Sequence, residues 1–187
     1  SFTQLAGTVT LPAGTVTTYS NWTYTAGTID PGTSTVNFNS NYGTTLTITG
    51  SHTLYNVNLS SSSGCCASVP TIVIASGTTL TANGTLTISG WDTYLSINTG
   101  TIEAKGNIVQ GSNGAGGSAT LLINGTGAQT LTGGGASANL PNVNINKASG
   151  TLTLSGTIRT TNNWTYTAGT LDPGTSTVNF NSNYGTT

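Results

Sequence analysis

The chain has 187 residues, of which three are basic and four acidic, giving 4% charge and a formal net charge of −1. Soluble domains average about 25% charged residues. So sparse a set excludes the clustered Lys and Arg that nucleic-acid binding requires. No stretch approaches the ~20 apolar residues of a helical membrane span, so no membrane insertion is expected. Thr, Val, Ile and aromatic residues are too plentiful for charge-driven disorder. With no initiator Met and no signal peptide, the chain reads as a mature form or as a window from something longer.

Ser1-Phe-Thr-Gln-Leu-Ala6 leads into the first of a series of glycines, most of them followed by Thr or Ser: Gly7, Gly27, Gly50, Gly77, Gly100, Gly125, Gly150 and Gly169. Short alternating segments precede most of these glycines. Residues 21–25 carry Trp22 and Tyr24, 45–49 carry Leu46 and Ile48, and 71–75 carry Ile72 and Ile74. Further on come Leu95 and Ile97, Leu121 and Ile123, Val143 and Ile145, and finally Trp164 and Tyr166. Each segment predicts a strand with two large residues facing one way. Stacked in register, these pairs form a core ladder with Trp22 over Leu46 and Tyr24 over Ile48, continuing through Leu95, Ile97, Leu121 and Ile123.

Second strands are predicted mid-unit, at residues 35–39, 55–59, 85–88 and 129–132. Weaker third strands follow the glycines, at 7–11, 101–104 and 150–154. Spacing of this kind marks solenoids and arrays. The expected fold is all-β, a parallel β-solenoid with three strands and about 24 residues per coil, about eight coils in a single domain, rising about 4.8 Å per coil. An antiparallel sandwich explains the strands but not the constant phase of the glycines. Residues 21–45 recur as 163–187 with only Ile29/Leu171 different, a long repeat of 142 residues.

The units NWTYTAGT, TLTISG and GTLTLSGTI resemble those of bacterial β-strand-repeat surface proteins, the filamentous-haemagglutinin-like and autotransporter-passenger-like adhesins. The resemblance implies a right-handed coil, an extracellular or cell-surface location and an adhesive or scaffolding role. It transfers no functional residue.

Catalytic and metal sites are not predicted. Asp30 and Glu103 stand three coils apart, roughly 14 Å, too far for a carboxylate pair that spans at most about 9.5 Å. Asp92 falls at another corner. His52 is the only histidine and has no acidic neighbour in sequence. The glycine-rich runs 111–117 and 133–137 lack the Lys and the following helix of a phosphate loop, and are expected as corner insertions. No enzyme activity and no cofactor are therefore expected.

Cys65 and Cys66 are adjacent in a Ser-rich insertion. In a secreted chain they suggest oxidation, as a vicinal disulfide or as bridges to another loop or subunit. Asn-x-Ser/Thr sequons at Asn21, Asn58, Asn83, Asn124 and Asn163 are candidate glycosylation sites. Tyr42, Tyr184 and Trp91 lie near corners.

Open solenoid ends expose strand edges that call for a cap or a partner. The expected partner is a second copy, stacked head to tail, with Ser1, Phe2 and Leu5 of one subunit meeting Tyr184 and Thr187 of the next in an extracellular filament. A monomeric adhesin holding glycans or surfaces through one face is the alternative. Ice binding comes third: Thr-x-Thr pairs recur, but the expected face is broken by Ala75, Ser96, Leu122 and Asn144.

Overall fold

The computed structural model describes residues 1–62, 69–90, 95–114, 116–135 and 137–180. An extended segment of alternating Thr and Val or Ile turns every second side chain inward and must give its N–H and C=O groups to a neighbour. Here the neighbour is always the coil before or after. Among the described residues every ladder is parallel, which rules out the antiparallel sandwich. The chain forms a parallel β-solenoid of about eight turns, with roughly three strands and about 22 residues per turn.

The first face carries Phe2–Gln4, Trp22–Tyr24 and Thr45–Thr49, then residues 71–74 and 96–99. It continues through 116–119, 137–140 and 157–160 by isolated bridges and single bonds, such as Ile97 N–H to Gly116 O (2.8 Å) and Leu140 N–H to Arg159 O (3.0 Å). It ends on Thr177–Phe180. The second face carries Thr8–Thr10, Thr28–Asp30 and His52–Leu54, then 80–82, 101–104, Thr120–Ile123, 142–145 and 164–166. The third carries Thr15–Thr18, Thr35–Ser40, Asn56–Ser61, Leu86–Ser89, Ile108–Gln110 and Gln129–Gly134, then 152–157 and 170–172.

Inside, Val36, Val57, Leu86, Ile108, Leu131 and Leu154 stack in one continuous column of the third face. Outside, the same strands present two columns. One runs Thr15, Thr35, Asn56, Thr85, Asn107, Thr130, Thr153; the other runs from Thr17 through Asn37, Asn58, Thr87, Val109 and Thr132 to Ser155.

The register departs from the expected ladder in three places. Trp22 lies beside Ile48 rather than Leu46, which carries Tyr24 past the strand to the corner at Gly50. Ile72 pairs with Ile97, not Leu95. Leu121 and Ile123 stack on Ile102 and Ala104 of the second face, not on Leu95 and Ile97 of the first. The cause of the last shift is the glycine-rich run 111–117. It is not a corner insertion: its end, with Ser118 and Ala119, takes the place of a strand on the first face and pushes Thr120–Ile123 one face onward.

The two copies of the repeated segment are consequently out of phase. Trp22–Tyr24 is on the first face and residues 164–166 on the second; Thr35–Ser40 is on the third and Thr177–Phe180 on the first. The 142-residue repeat thus spans six and a third turns, so the turn averages about 22 residues and not the 24 that glycine spacing suggests.

Of the ladder residues, Trp22, Leu46, Ile48, Ile72, Ile74, Leu95, Ile97, Val143 and Ile145 are buried. Of the four aromatics expected to fill the core, Trp22 is buried and Trp164 packs against the core. Tyr24 and Trp164 are half-buried, and Tyr166 is 53% exposed. Tyr24 leaves the interior because Gly50 offers it no inward neighbour, and Tyr166 has no described coil above it.

Candidate functional site

The two ends of the described stack hold the interior residue types of its middle, only partly covered. Phe2, Val9 and Val16 at one end and Trp164, Leu171 and Val178 at the other pack against the core while remaining half-exposed. Phe2 stacks on Trp22 with ring centroids 3.7 Å apart and planes 19° apart, so the first strand is held by aromatic packing as well as by the N–H of Phe2 on Asn21 O (3.0 Å). Ser1 is exposed and Leu5 is 68% exposed. At the far end Phe180 is 61% exposed. Tyr184 and Thr187 lie outside the described residues, as do Cys65, Cys66, Trp91 and Asp92.

The repeated segment keeps its own geometry on either face. Trp22 meets Phe38 edge-on at 5.5 Å, and Trp164 meets Phe180 edge-on at 5.8 Å. Tyr24 Oη donates to Gly27 O (2.7 Å), and Tyr166 Oη donates likewise to Gly169 O. Asp30 Oδ1 accepts from Gly32 N–H (3.2 Å) as Asp172 Oδ1 does from Gly174 N–H (3.0 Å). These contacts are internal to the segment, while its strand N–H and C=O groups bond the coils on either side.

Polar side chains at inward positions staple the corners. Gln4 Nε2 donates to Gly7 O (3.1 Å) and Thr28 O (2.9 Å), and Gln129 Nε2 donates to Ala104 O (3.1 Å) and Gly106 O (2.5 Å). Lys147 is 1% exposed; its Nζ donates to Gly125 O, to Gly127 O (3.0 Å) and to Gln129 Oε1 (2.6 Å). Burial lowers the Lys147 pKa, and the three oxygens around the ammonium compensate for lost water. Gln110 clamps the backbone of a single residue: its Nε2 donates to Arg159 O (2.8 Å) and its Oε1 accepts from Arg159 N–H (3.2 Å).

His52 is buried beside Trp22 and Tyr24, with Nδ1 2.7 Å from Gly50 O. Burial holds its pKa below the ordinary histidine value, outweighing the bond to Gly50. Burial alone would raise the Glu103 pKa. Its bonds to Lys105 (2.7 Å), Asn124 (2.7 Å) and Thr81 (2.8 Å) prevail and lower it. Among the described residues no three His, Cys, Asp or Glu side chains gather as a metal site, and no helix is long and apolar enough to cross a membrane.

The sequons differ in access. Asn21, Asn83 and Asn163 are exposed. Asn58 is half-buried in the outward column of the third face, and Asn124 Nδ2, the atom a glycan would occupy, donates to Glu103 Oε1. Asn21 Oδ1 also accepts from Thr47 N–H (2.9 Å), one of several strand-start asparagines that cap the next coil.

No protein-family profile, characterised protein or solved structure matches this chain.

Proposed function

We propose that the chain is an extracellular structural protein that builds a cell-surface filament by head-to-tail stacking of its coils, without catalytic activity. The observation that carries the proposal is the pair of half-covered ends. Among the described residues, each presents strand edges with no further coil beside large apolar side chains, and an edge of that kind is a template for another strand. Axial addition of a second copy would continue the parallel ladders and cover Phe2, Val9 and Val16 on one side and Trp164, Leu171 and Val178 on the other. Nothing about the fold need change for a coil to be added, since each coil contacts only its neighbours. The near absence of charge removes the long-range repulsion that would keep copies apart.

The resemblance to bacterial surface repeats supports the extracellular setting. Glycan adhesion through one face has weaker support: Tyr19 and Tyr42 are exposed at one corner and Tyr55 at another, so they form no single aromatic platform.

Negative-stain electron microscopy tests the proposal. Concentrated protein should give unbranched fibres of one-coil width, and deleting residues 1–6 should shorten or abolish them. Isolated rods at every concentration, or fibres indifferent to that deletion, would overturn the stacking scheme.

A further inference from the structure

The residues that interrupt the Thr-x-Thr pairs do not share one face. Ala75 and Ser96 belong to the first face, Leu122 and Asn144 to the second, so the four never interrupted one surface. The third face carries the regular array. From Thr15–Thr18 to residues 152–157 its two outward columns hold 14 positions over seven coils, eight of them Thr, and only Val109 lacks a polar group; Asp172 follows Thr153 on the next rung. Pairing along this face runs from Thr15–Thr18 to residues 152–157 without a register shift.

We infer that the third face binds ice. Adjacent coils set the columns' rungs about 4.8 Å apart, and side chains two residues apart in a strand stand about 6.7 Å apart. Six such steps make the array about 29 Å tall. The surface of hexagonal ice repeats its oxygen positions at closely similar two-dimensional spacings. Each Thr offers a hydroxyl that both donates and accepts and a methyl group that keeps bulk water from competing. Strand pairing fixes the backbone, and β-branching restricts χ1, so ordering water on the array costs little side-chain entropy.

The chemistry also excludes other periodic partners. Crystalline polysaccharides are held by stacking on aromatic rings, and the two columns contain none. Mineral surfaces call for charged groups, and these 14 positions contain none, the one carboxylate of the face, Asp172, standing a rung beyond Thr153. Asn56 and Asn107 bend to cap Thr85 N–H (2.8 Å) and Thr130 N–H (2.9 Å), which keeps the rungs in step where they interrupt the Thr column.

The test is thermal hysteresis and uptake into a slowly growing ice hemisphere, using the whole chain. The parent protein should shape ice crystals and enter the ice. T87Y and T132Y, each placing a ring in the middle of the array, should lose most of the hysteresis with the far-UV circular dichroism unchanged. T47Y, outward on the first face, should behave as the parent. Absence of hysteresis in the parent, equal loss in T47Y, or retention in both T87Y and T132Y would overturn the inference. So would binding to cellulose or chitin powder that T87Y and T132Y abolish while ice uptake persists.

Discussion

Three corner glycines separate two physical reasons for having no side chain. Gly77 has φ +73° but open space where a Cβ would stand; Gly100 lies outside the left-handed region, but its Cβ would meet Ile74 Cγ2 and Thr78 O at 2.7 Å; Gly50 has φ +85° and a Cβ position 1.8 Å from Tyr24 O. For Gly77→Ala the left-handed backbone costs about 1–2 kcal/mol, offset by about 0.4–1 kcal/mol from a stiffer unfolded chain, leaving about 1 kcal/mol. Gly100→Ala has only the crowding, typically about 1–3 kcal/mol for an overpacked site. Gly50→Ala suffers both, and its obstacle is a backbone oxygen of the adjacent coil, which no rotamer change can move. The coils must part there, so the loss should exceed about 4 kcal/mol, a range reserved for severe core damage. Guanidinium melts followed by far-UV circular dichroism should rank the variants Gly77→Ala, Gly100→Ala, Gly50→Ala in order of increasing damage. Gly50→Ala within about 1 kcal/mol of Gly77→Ala would refute the claim that coil contact, and not backbone conformation alone, selects glycine at this corner.

Lys147→Met should destabilise the protein by about 2 kcal/mol despite adding an apolar side chain, because Gly125 O, Gly127 O and Gln129 Oε1 lose their donor; the same melts measure it. His52 is neutral in the folded coil, with a folded pKa below its unfolded one, so the unfolded state takes up the proton first. Stability should be full above about pH 6.5 and fall as pH drops through the folded value, and His52→Leu should flatten that decline in a melting-temperature series from neutral to mildly acidic pH. Glu103 has the same sign in a lower window, its contribution lost only as pH falls through the carboxylate range. In a host that glycosylates sequons, peptide mass spectrometry should find Asn21, Asn83 or Asn163 occupied and Asn124 bare, since Asn124 Nδ2 is engaged by Glu103.

Much of this fold can be read in the chain because alternation and burial coincide. Within the stack, two large apolar residues flanking a Thr or Asn are buried, as at Leu46-Thr-Ile48 or Val143-Asn-Ile145; on the last described coils, as at Trp164-Thr-Tyr166 and Val178-Asn-Phe180, they are not. The register is less legible because the glycines do not keep one corner throughout. Residues 116–119 show why: Gly116, Gly117, Ser118 and Ala119 have no large apolar side chain to announce a strand, yet they occupy a full face through backbone bonds. The corner staples were legible in principle. Lys147 follows Val143 and Ile145 at the same parity, as Gln4 follows Phe2 and Gln110 follows Ile108, and each is a polar residue at an inward position next to a corner. Composition alone counts Lys147 as a surface charge; parity places it inside.

The mismatch between repeat and turn has consequences for any surface this chain presents. A cassette that depended on particular side chains in its neighbours could not be moved from one face to the next, because those partners would change while the backbone ladders would not. Trp22 sits between Phe2 and Ile48, whereas Trp164 pairs with Val143, yet the edge-on contact to Phe38 or Phe180 and the tyrosine bond across the corner survive the move. Local bonding therefore permits the repeat, and the extra strand at residues 116–119 rotates it by a third of a turn. Identical sequence then points in directions about 120° apart, roughly 30 Å distant along the axis at about 4.8 Å per coil. The Thr and Asn array of the third face obeys the opposite logic. Its regularity belongs to the coil and not to the repeat, because its seven rungs come from seven different segments whose outward residues agree in kind. Selection for a repeated cassette alone would not align those rungs. A requirement acting on the face itself would.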